Sequence, residues 1–240
     1  MSHWSVENSS DIWYLCYGTI SIVPPKSQAI LRAKMDAPPD LQSQRRQLIY
    51  FPIVHNQADM GALSESVKKA SLQKIGRQGW KRKVDLIDKF WDEIEKTVET
   101  LSVPFDRVRV YQDGLPVSWK EAPIVTELAK SGSRNHALLL GLVERGARLM
   151  GTESLELLLE EYESVKKMLG SGESSRKKSQ KTYDSSDLLE RRDKFIAQRI
   201  NETLGPGEVG IIFLGMLHEL EPWLAKDIQV VYPVGRPLKS

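Results

Sequence analysis

Apolar residues along this chain recur in two rhythms. Six short runs, rich in β-branched and aromatic residues and bounded by turn formers, predict strands. They are IWYLCYGTISIV (12–23), QLIYFPIV (47–54), DRVRVYQ (106–112), ARLMG (147–151), VGIIFLGML (209–217) and IQVVYP (228–233). Between them the spacing turns helical. Residues 61–101 form a long amphipathic stretch interrupted at GRQG, and TELAKSG (126–132) and NHALLLGLVERG (135–146) each end in glycine, as helices commonly do. SLELLLEEYESVKKMLG (154–170) places acids early and lysines late, which suits the helix dipole. In LLERRDKFIAQRINETLG (188–205), Leu188, Leu189, Phe195, Ile196, Ile200 and Leu204 repeat at helical spacing.

Strands alternating with helices predict an α/β fold: one domain over 1–240, with a mainly parallel sheet of about six strands flanked by helices on both faces. The run at 209–217 is apolar on both faces, as a strand covered on each side must be. GSGESSRKKSQKTYDSS (170–186) is nearly free of apolar residues and cannot offset the entropy of its own ordering. It predicts a flexible loop between two helices, with a lid over a site as the functional alternative.

Composition narrows the classes. The chain has 240 residues, 40% hydrophobic and 28% charged, with a net charge of +2 that by itself favours neither nucleic acid nor a membrane surface. One cysteine, Cys16, excludes an internal disulfide framework and a multi-cysteine zinc site. The opening MSHWSVENSSD is polar and acidic, unlike a secretory leader, and no run approaches the roughly 18 apolar residues of a membrane span. A soluble cytoplasmic protein without a membrane contact is expected.

In open parallel sheets ligands bind beyond the carboxyl ends of the strands. Those ends carry Thr19 and Ser21, then His55, Asn56 and Asp59, then Asp113 and Gly114, then Thr152 and Glu153, and finally His218 and Glu219. Two of the four histidines therefore sit at strand tips, where an imidazole can act as a general base or ligate a metal. Competing structural roles are clear for several positions. Asp59 could cap the helix it precedes, Asp113 lies in the turn signal Asp-Gly, and Thr152 or Ser154 could cap the next helix. His136 begins a helix, and His3 lies at the terminus. Free N–H groups at the helix start near Asp59 could also hold an anion.

KKASLQKIGRQGWKRK (68–83) holds seven Lys or Arg around Trp80. An aromatic among cations could stack on a base while the cations meet phosphates. Against this, the acidic stretch DEIEKTVE that follows offsets the charge, so a solvated helix face is the plainer reading.

The order ERRDKFIAQRI, an apolar strand, and then Gly215-Met216-Leu217-His218 resembles the TraB/Tiki group and its erythromycin-esterase and ChaN-like relatives. In that superfamily an arginine-bearing helix precedes a strand ending in G-x-x-H. WYLCYGTIS would occupy the place of the first G-x-x-H, although Ser21 stands where that motif has histidine. The resemblance implies an α/β fold with its site around His218 and the tips of the first two strands.

Three functions are therefore expected. The first is a hydrolase-like protein in which His218 and His55 are acid/base groups or ligands of zinc or manganese. Asp59, Asp113 or Glu153 would then support them, and Arg191 or Arg192, with Thr19, Ser21 and Asn56, would contact a small-molecule or peptide substrate. Two histidines with one or two carboxylates meet the minimum for such a metal. The second is a non-catalytic domain that binds or senses a small ligand in the same cleft. The third is a nucleic-acid contact through 68–83. The first two require His55 and His218 to lie within about 10 Å of each other.

Overall fold

The structure, a computed structural model, describes residues 45–55, 64–170 and 178–235. Five strands form one all-parallel sheet: β1 (Arg46–Ile53), β2 (Val108–Gln112), β3 (Arg148–Met150), β4 (Val209–Gly215) and β5 (Ile228–Val231). Five helices join them: α1 (Ser64–Glu99), α2 (Glu121–Lys130), α3 (Arg134–Glu144), α4 (Leu155–Gly170) and α5 (Lys178–Thr203). The sixth strand expected, at 12–23, lies outside the described residues. The helix expected at 188–205 opens at Lys178, so it takes in the second half of the segment read as a loop. That half, SQKTYDSS, contains no glycine or proline, and a helix already anchored by Ile196, Ile200 and Leu204 extends backward through such residues at small cost.

The strand order is β3-β2-β4-β1-β5. The chain lays down β1, crosses to β2, moves outward to β3, and then returns to insert β4 between β2 and β1. As a result the carboxyl ends of β1, β4 and β2 stand side by side, with Ile53 opposite Gly215 and Gln112 opposite Phe213. Residues far apart in sequence meet there.

Alternation along the strands sorts the core into two clusters. Ile49, Phe51 and Ile53 of β1 pack with Val110, Ile211 and Phe213, together with Phe90, Trp91, Ile94 and Val98 of α1 and Leu139 and Leu142 of α3. Leu48 and Tyr50 pack with Tyr111, Ile212 and Leu214, together with Ile196, Ile200 and Leu204 of α5.

Helix α1 is unusual in its length. Its buried residues begin only at Ile87, and Trp91 donates from Nε1 to the Val54 carbonyl at 3.1 Å, which fixes this turn beside the carboxyl end of β1. A straight helix would carry Ser64 about 40 Å from Trp91 at 1.5 Å per residue. The nine steps from His55 to Ser64 span at most about 32 Å, so a straight helix would demand a connection stretched almost to its limit. The helix instead breaks at Gly76 (φ 67°, ψ 175°), in the GRQG interruption seen in the sequence. Glycine reaches this left-handed φ without the cost a Cβ would add.

Candidate functional site

Three strand ends and one helix build a buried polar cluster. His55 follows β1, Asp113 follows β2, His218 follows the turn after β4, and α5 contributes Arg192 and Asp193. At its centre is one oxygen. Asp113 Oδ2 lies 3.1 Å from His55 Nε2 and 3.8 Å from His218 Nε2, and it accepts the Gly215 N–H at 2.8 Å. The two histidine rings are therefore well inside the separation of about 10 Å expected.

Gly215 leaves the space this needs. A Cβ there would come 2.9 Å from Asp113 Oδ2 and 3.9 Å from His55 Nε2. The first glycine of the Gly215–His218 segment thus holds Asp113 by its backbone, while the last residue places an imidazole against the same carboxylate.

The other Asp113 oxygen accepts from Arg192 Nη2 at 2.9 Å. The Arg192 guanidinium also forks onto Glu153, with Nε to Oε2 and Nη2 to Oε1 both at 2.7 Å, and its Nη1 reaches Glu161 at 2.7 Å. Glu153 Oε1 further accepts the Gly114 N–H at 2.7 Å. On the far side of the cluster, His218 Nδ1 and Asp193 Oδ1 are 2.5 Å apart, and Asp193 Oδ2 accepts the Glu219 N–H at 2.9 Å. The result is a chain of charge running Asp193, His218, Asp113, Arg192, Glu153, with His55 attached at Asp113.

Counting charges shows what the chain holds. Asp113, Glu153 and Asp193 expose 5%, 1% and 6% of their side chains, and Arg192, the one guanidinium buried among the described residues, exposes 5%. Three buried anions against one cation leave two charges to be met, and unmet charge in a low-dielectric interior costs several kcal/mol. A proton held by His218, which lies between the Asp113 and Asp193 carboxylates, meets one of them. The ionisation shifts follow this balance. Burial acts to raise the Asp113 carboxyl, but the charges of His55, His218 and Arg192 and the His55 hydrogen bond outweigh it and hold the group well below its usual range. Burial also acts to raise Glu153, and there the single Arg192 does not overcome it, so Glu153 sits above its usual value. Burial acts to lower His218, while the hydrogen bond to Asp193 and the charge of Asp113 reverse this and raise it. Burial likewise opposes the charge on Arg192, and Glu153, Asp113 and Glu161 together hold it firmly protonated.

Exposure separates the two imidazoles. His218 exposes 4% of its side chain and His55 exposes 25%. His55 is the ring that meets solvent, and His218 backs the shared carboxylate from inside.

The sequence-derived candidates divide accordingly. His55, Asp113, Glu153, His218 and Arg192 come together. Asp113 is more than the turn residue that Asp-Gly suggested, because its carboxylate is the hub of the cluster while the turn is made around it. Arg191 lies apart from the cluster: its side chain faces outward and pairs with Glu160 at 2.9 Å and with Asp187 at 3.8 Å. One step along a helix turns a side chain by about 100°, which separates the two neighbouring arginines. Thr19, Ser21, Asn56 and Asp59 lie outside the described residues, as does His3. Ser154 caps α4 by accepting the Leu157 N–H, and Thr152 instead accepts the Gln112 N–H. His136 lies in the first turn of α3, its Nδ1 2.7 Å from the capping Ser133 Oγ, away from the cluster.

Asp193 and Glu161 were missed. A signal for Asp193 was present, because it shares the apolar stripe of α5 with Ile196, Ala197 and Ile200 at spacings of three, four and seven, where a carboxylate must have a buried partner.

The described donors do not make the zinc or manganese site expected. Among the described residues no group of three or more His, Cys, Asp or Glu is placed to hold a metal ion. The one carboxylate facing both histidines is already engaged by Arg192, Gly215 and His55. An open cavity of about 720 Å³ lies elsewhere, in the elbow of α1 beside Lys68, Lys69 and Gly76, and none of its described lining belongs to the cluster. The cluster is built from buried charged groups, whereas the cavity is an open bend in one helix. Comparison with protein-family models, with curated proteins and with solved structures finds no match.

Proposed function

We propose that the protein is a hydrolase-like acid/base catalyst whose working group is His55, at the carboxyl edge of the sheet. A single observation carries the reading: one oxygen of a buried aspartate faces both histidines. With Asp113 accepting from Nε2, a neutral His55 ring is held in one tautomer and is basic at Nδ1. When it takes a proton from water or a substrate hydroxyl, the imidazolium that forms lies against a carboxylate whose negative charge is already maintained. This is the role an orienting aspartate plays beside any catalytic histidine.

His218 and Asp193 support the same step from behind. Proton uptake at His55 moves the charge of the buried set, and His218, between two carboxylates, limits the change. Arg192 and Glu153 fix Asp113 on its other oxygen, so the hub cannot rotate as its partner titrates. The substrate class that suits this arrangement is a small molecule or peptide bearing a bond that water can attack under base catalysis. The Gly215–His218 motif occupies the place that the TraB/Tiki resemblance assigns to a site, which agrees with this reading.

The alternative is a domain that binds a small ligand against His55 without turning it over, and hydrolysis separates the two. Purified protein would be assayed on p-nitrophenyl acetate, p-nitrophenyl phosphate and a fluorogenic peptide set, with free imidazole at equal concentration as the reference. A rate above that reference, lost in His55→Gln and cut at least 100-fold in Asp113→Asn, supports the catalyst. A wild-type rate equal to free imidazole on every probe, with His55 ring resonances that still shift on adding a ligand, would favour the binding domain. Metal analysis of the same preparation checks the donor-set argument, which expects no stoichiometric transition metal.

A further inference from the structure

Half of the longest helix has no part in the core. From Ser64 to Leu86 no described side chain of α1 is buried, whereas Ile87, Phe90, Trp91, Ile94 and Val98 all are. A helix that is polar all round needs a reason other than burial to exist. Since Trp91 is fixed beside the carboxyl end of β1 and α1 leads from that end toward the start of β2, the turns between Gly76 and Ile87 extend past that end. The segment therefore rises from the same edge of the sheet that carries His55, Asp113 and His218.

Its charge is one-sided. Residues 64–86 contain seven Lys or Arg against Glu65 and Asp85, a net +5, while the whole chain is +2, so the remainder is −3. On the core side of the Gly76 break, Arg77, Trp80 and Lys81 stand at i, i+3 and i+4 and share one face, with Arg82 exposed beside them. Lys83 Nζ lies 5.6 Å from the Trp80 ring centroid, so the indole already sits among cations. Lys68 and Lys69, before the break, and Arg77, just after it, border the elbow cavity.

We propose that this arm binds single-stranded nucleic acid, its cations following the phosphates and Trp80 stacking on an unpaired base. The alternation of cation and aromatic on one face is what a single strand offers in mirror, charge on the backbone and a π-face on each base. A membrane surface would ask for a broad apolar face on the helix, and Ile75 and Leu86 are the only large apolar side chains the described arm exposes. The inference stands apart from the acid/base reading, since it needs none of the cluster residues.

The test is fluorescence anisotropy of a labelled 20-nucleotide oligo(dT), titrated with full-length protein between 50 and 200 mM salt. Wild type should bind, with log affinity falling linearly against log salt. The variant Lys69→Ala/Arg77→Ala/Lys81→Ala/Arg82→Ala should lose at least tenfold in affinity, and its salt slope should flatten by about 3, given about 0.7 per phosphate contact on a single strand. Trp80→Ala should weaken binding roughly tenfold with the slope unchanged, because stacking releases no counter-ions. None of these side chains is buried, so all the variants should fold, and an unchanged thermal midpoint checks this. The proposal is overturned if wild type does not bind at 50 mM salt, if the fourfold variant keeps the wild-type affinity and slope, or if vesicles of anionic lipid are bound and the oligonucleotide is not.

Discussion

At the scale of single residues the cluster depends on Asp113, because four groups use its two oxygens. Asp113→Asn would leave Arg192 with one fewer anion and replace an acceptor at Gly215 and His55 with an amide. Removing one partner from a buried ion pair costs about 3 to 5 kcal/mol, and urea denaturation of the variant should show a loss of that order. A loss below about 1 kcal/mol would mean that water enters the cluster and screens it. Asn135 presents the opposite case. Both of its amide atoms are buried without a hydrogen-bond partner, and an unpaired buried polar group costs about 1 to 3 kcal/mol. Asn135→Leu, which keeps the same number and branching of side-chain heavy atoms, should therefore leave stability unchanged or raise it by about 1 kcal/mol where the site takes the bulkier methyl groups, and a fall in the denaturation midpoint would contradict this. Neither residue could be ranked from sequence. Asp113 reads as a turn former because Asp-Gly is one, and its hub role depends on the return of the chain to insert β4 beside β2.

At the scale of elements more was legible. Four of the five described strands fall within runs marked by their alternation or by their wholly apolar character, β1 begins one residue before its run, and the glycine break in α1 coincides with GRQG. These signals are local, so a single sequence carries them. What could not be read was how far a helix continues where it no longer packs: α5 reaches back to Lys178 through polar residues with no period to mark an end, whereas α1 lies within the amphipathic stretch marked at 61–101. The two halves of α1 should accordingly differ in protection. Segments with few buried contacts open locally at low free energy, so amides of residues 64–86 should exchange with solvent well before those of 87–99. Native-state hydrogen exchange resolves the boundary, and uniform protection along the helix would contradict it. In the same sense Trp91→Ala, which empties a fully buried site, should cost about 3 to 5 kcal/mol.

At the scale of the whole molecule the buried charges set how stability responds to pH, and the signs can be worked out group by group. The Asp113 carboxyl lies well below its ordinary 3.8, where burial is outweighed by its cationic neighbours, so its contribution is present above 3.8 and is lost as pH falls through the lowered value. Glu153 is displaced upward from 4.5, chiefly by burial, so the folded state binds that proton more tightly, and stability falls as pH rises from 4.5 through the raised value. His218 moves the same way: its value stands above 6.5, held there by Asp193 and Asp113 against burial, so its contribution is complete below 6.5 and is lost as pH rises through the folded value. Two groups thus favour the acid side and one opposes it only at low pH. The maximum of stability should lie between about 4 and 6.5, toward the acid end of the range of about 5 to 8 usual for proteins. Above 6.5 the urea midpoint should decline, with a limiting slope of about 1.4 kcal/mol per pH unit for each proton released. His218→Gln keeps a polar side chain in the same place but cannot titrate, so it should flatten the part of the decline that begins above 6.5 while leaving the acid limb of Asp113 in place. A wild-type midpoint that rises steadily from pH 5 to 8, or a decline above 6.5 that survives in His218→Gln, would show that the proton sits elsewhere and that the balance of three anions against one guanidinium is met by other means.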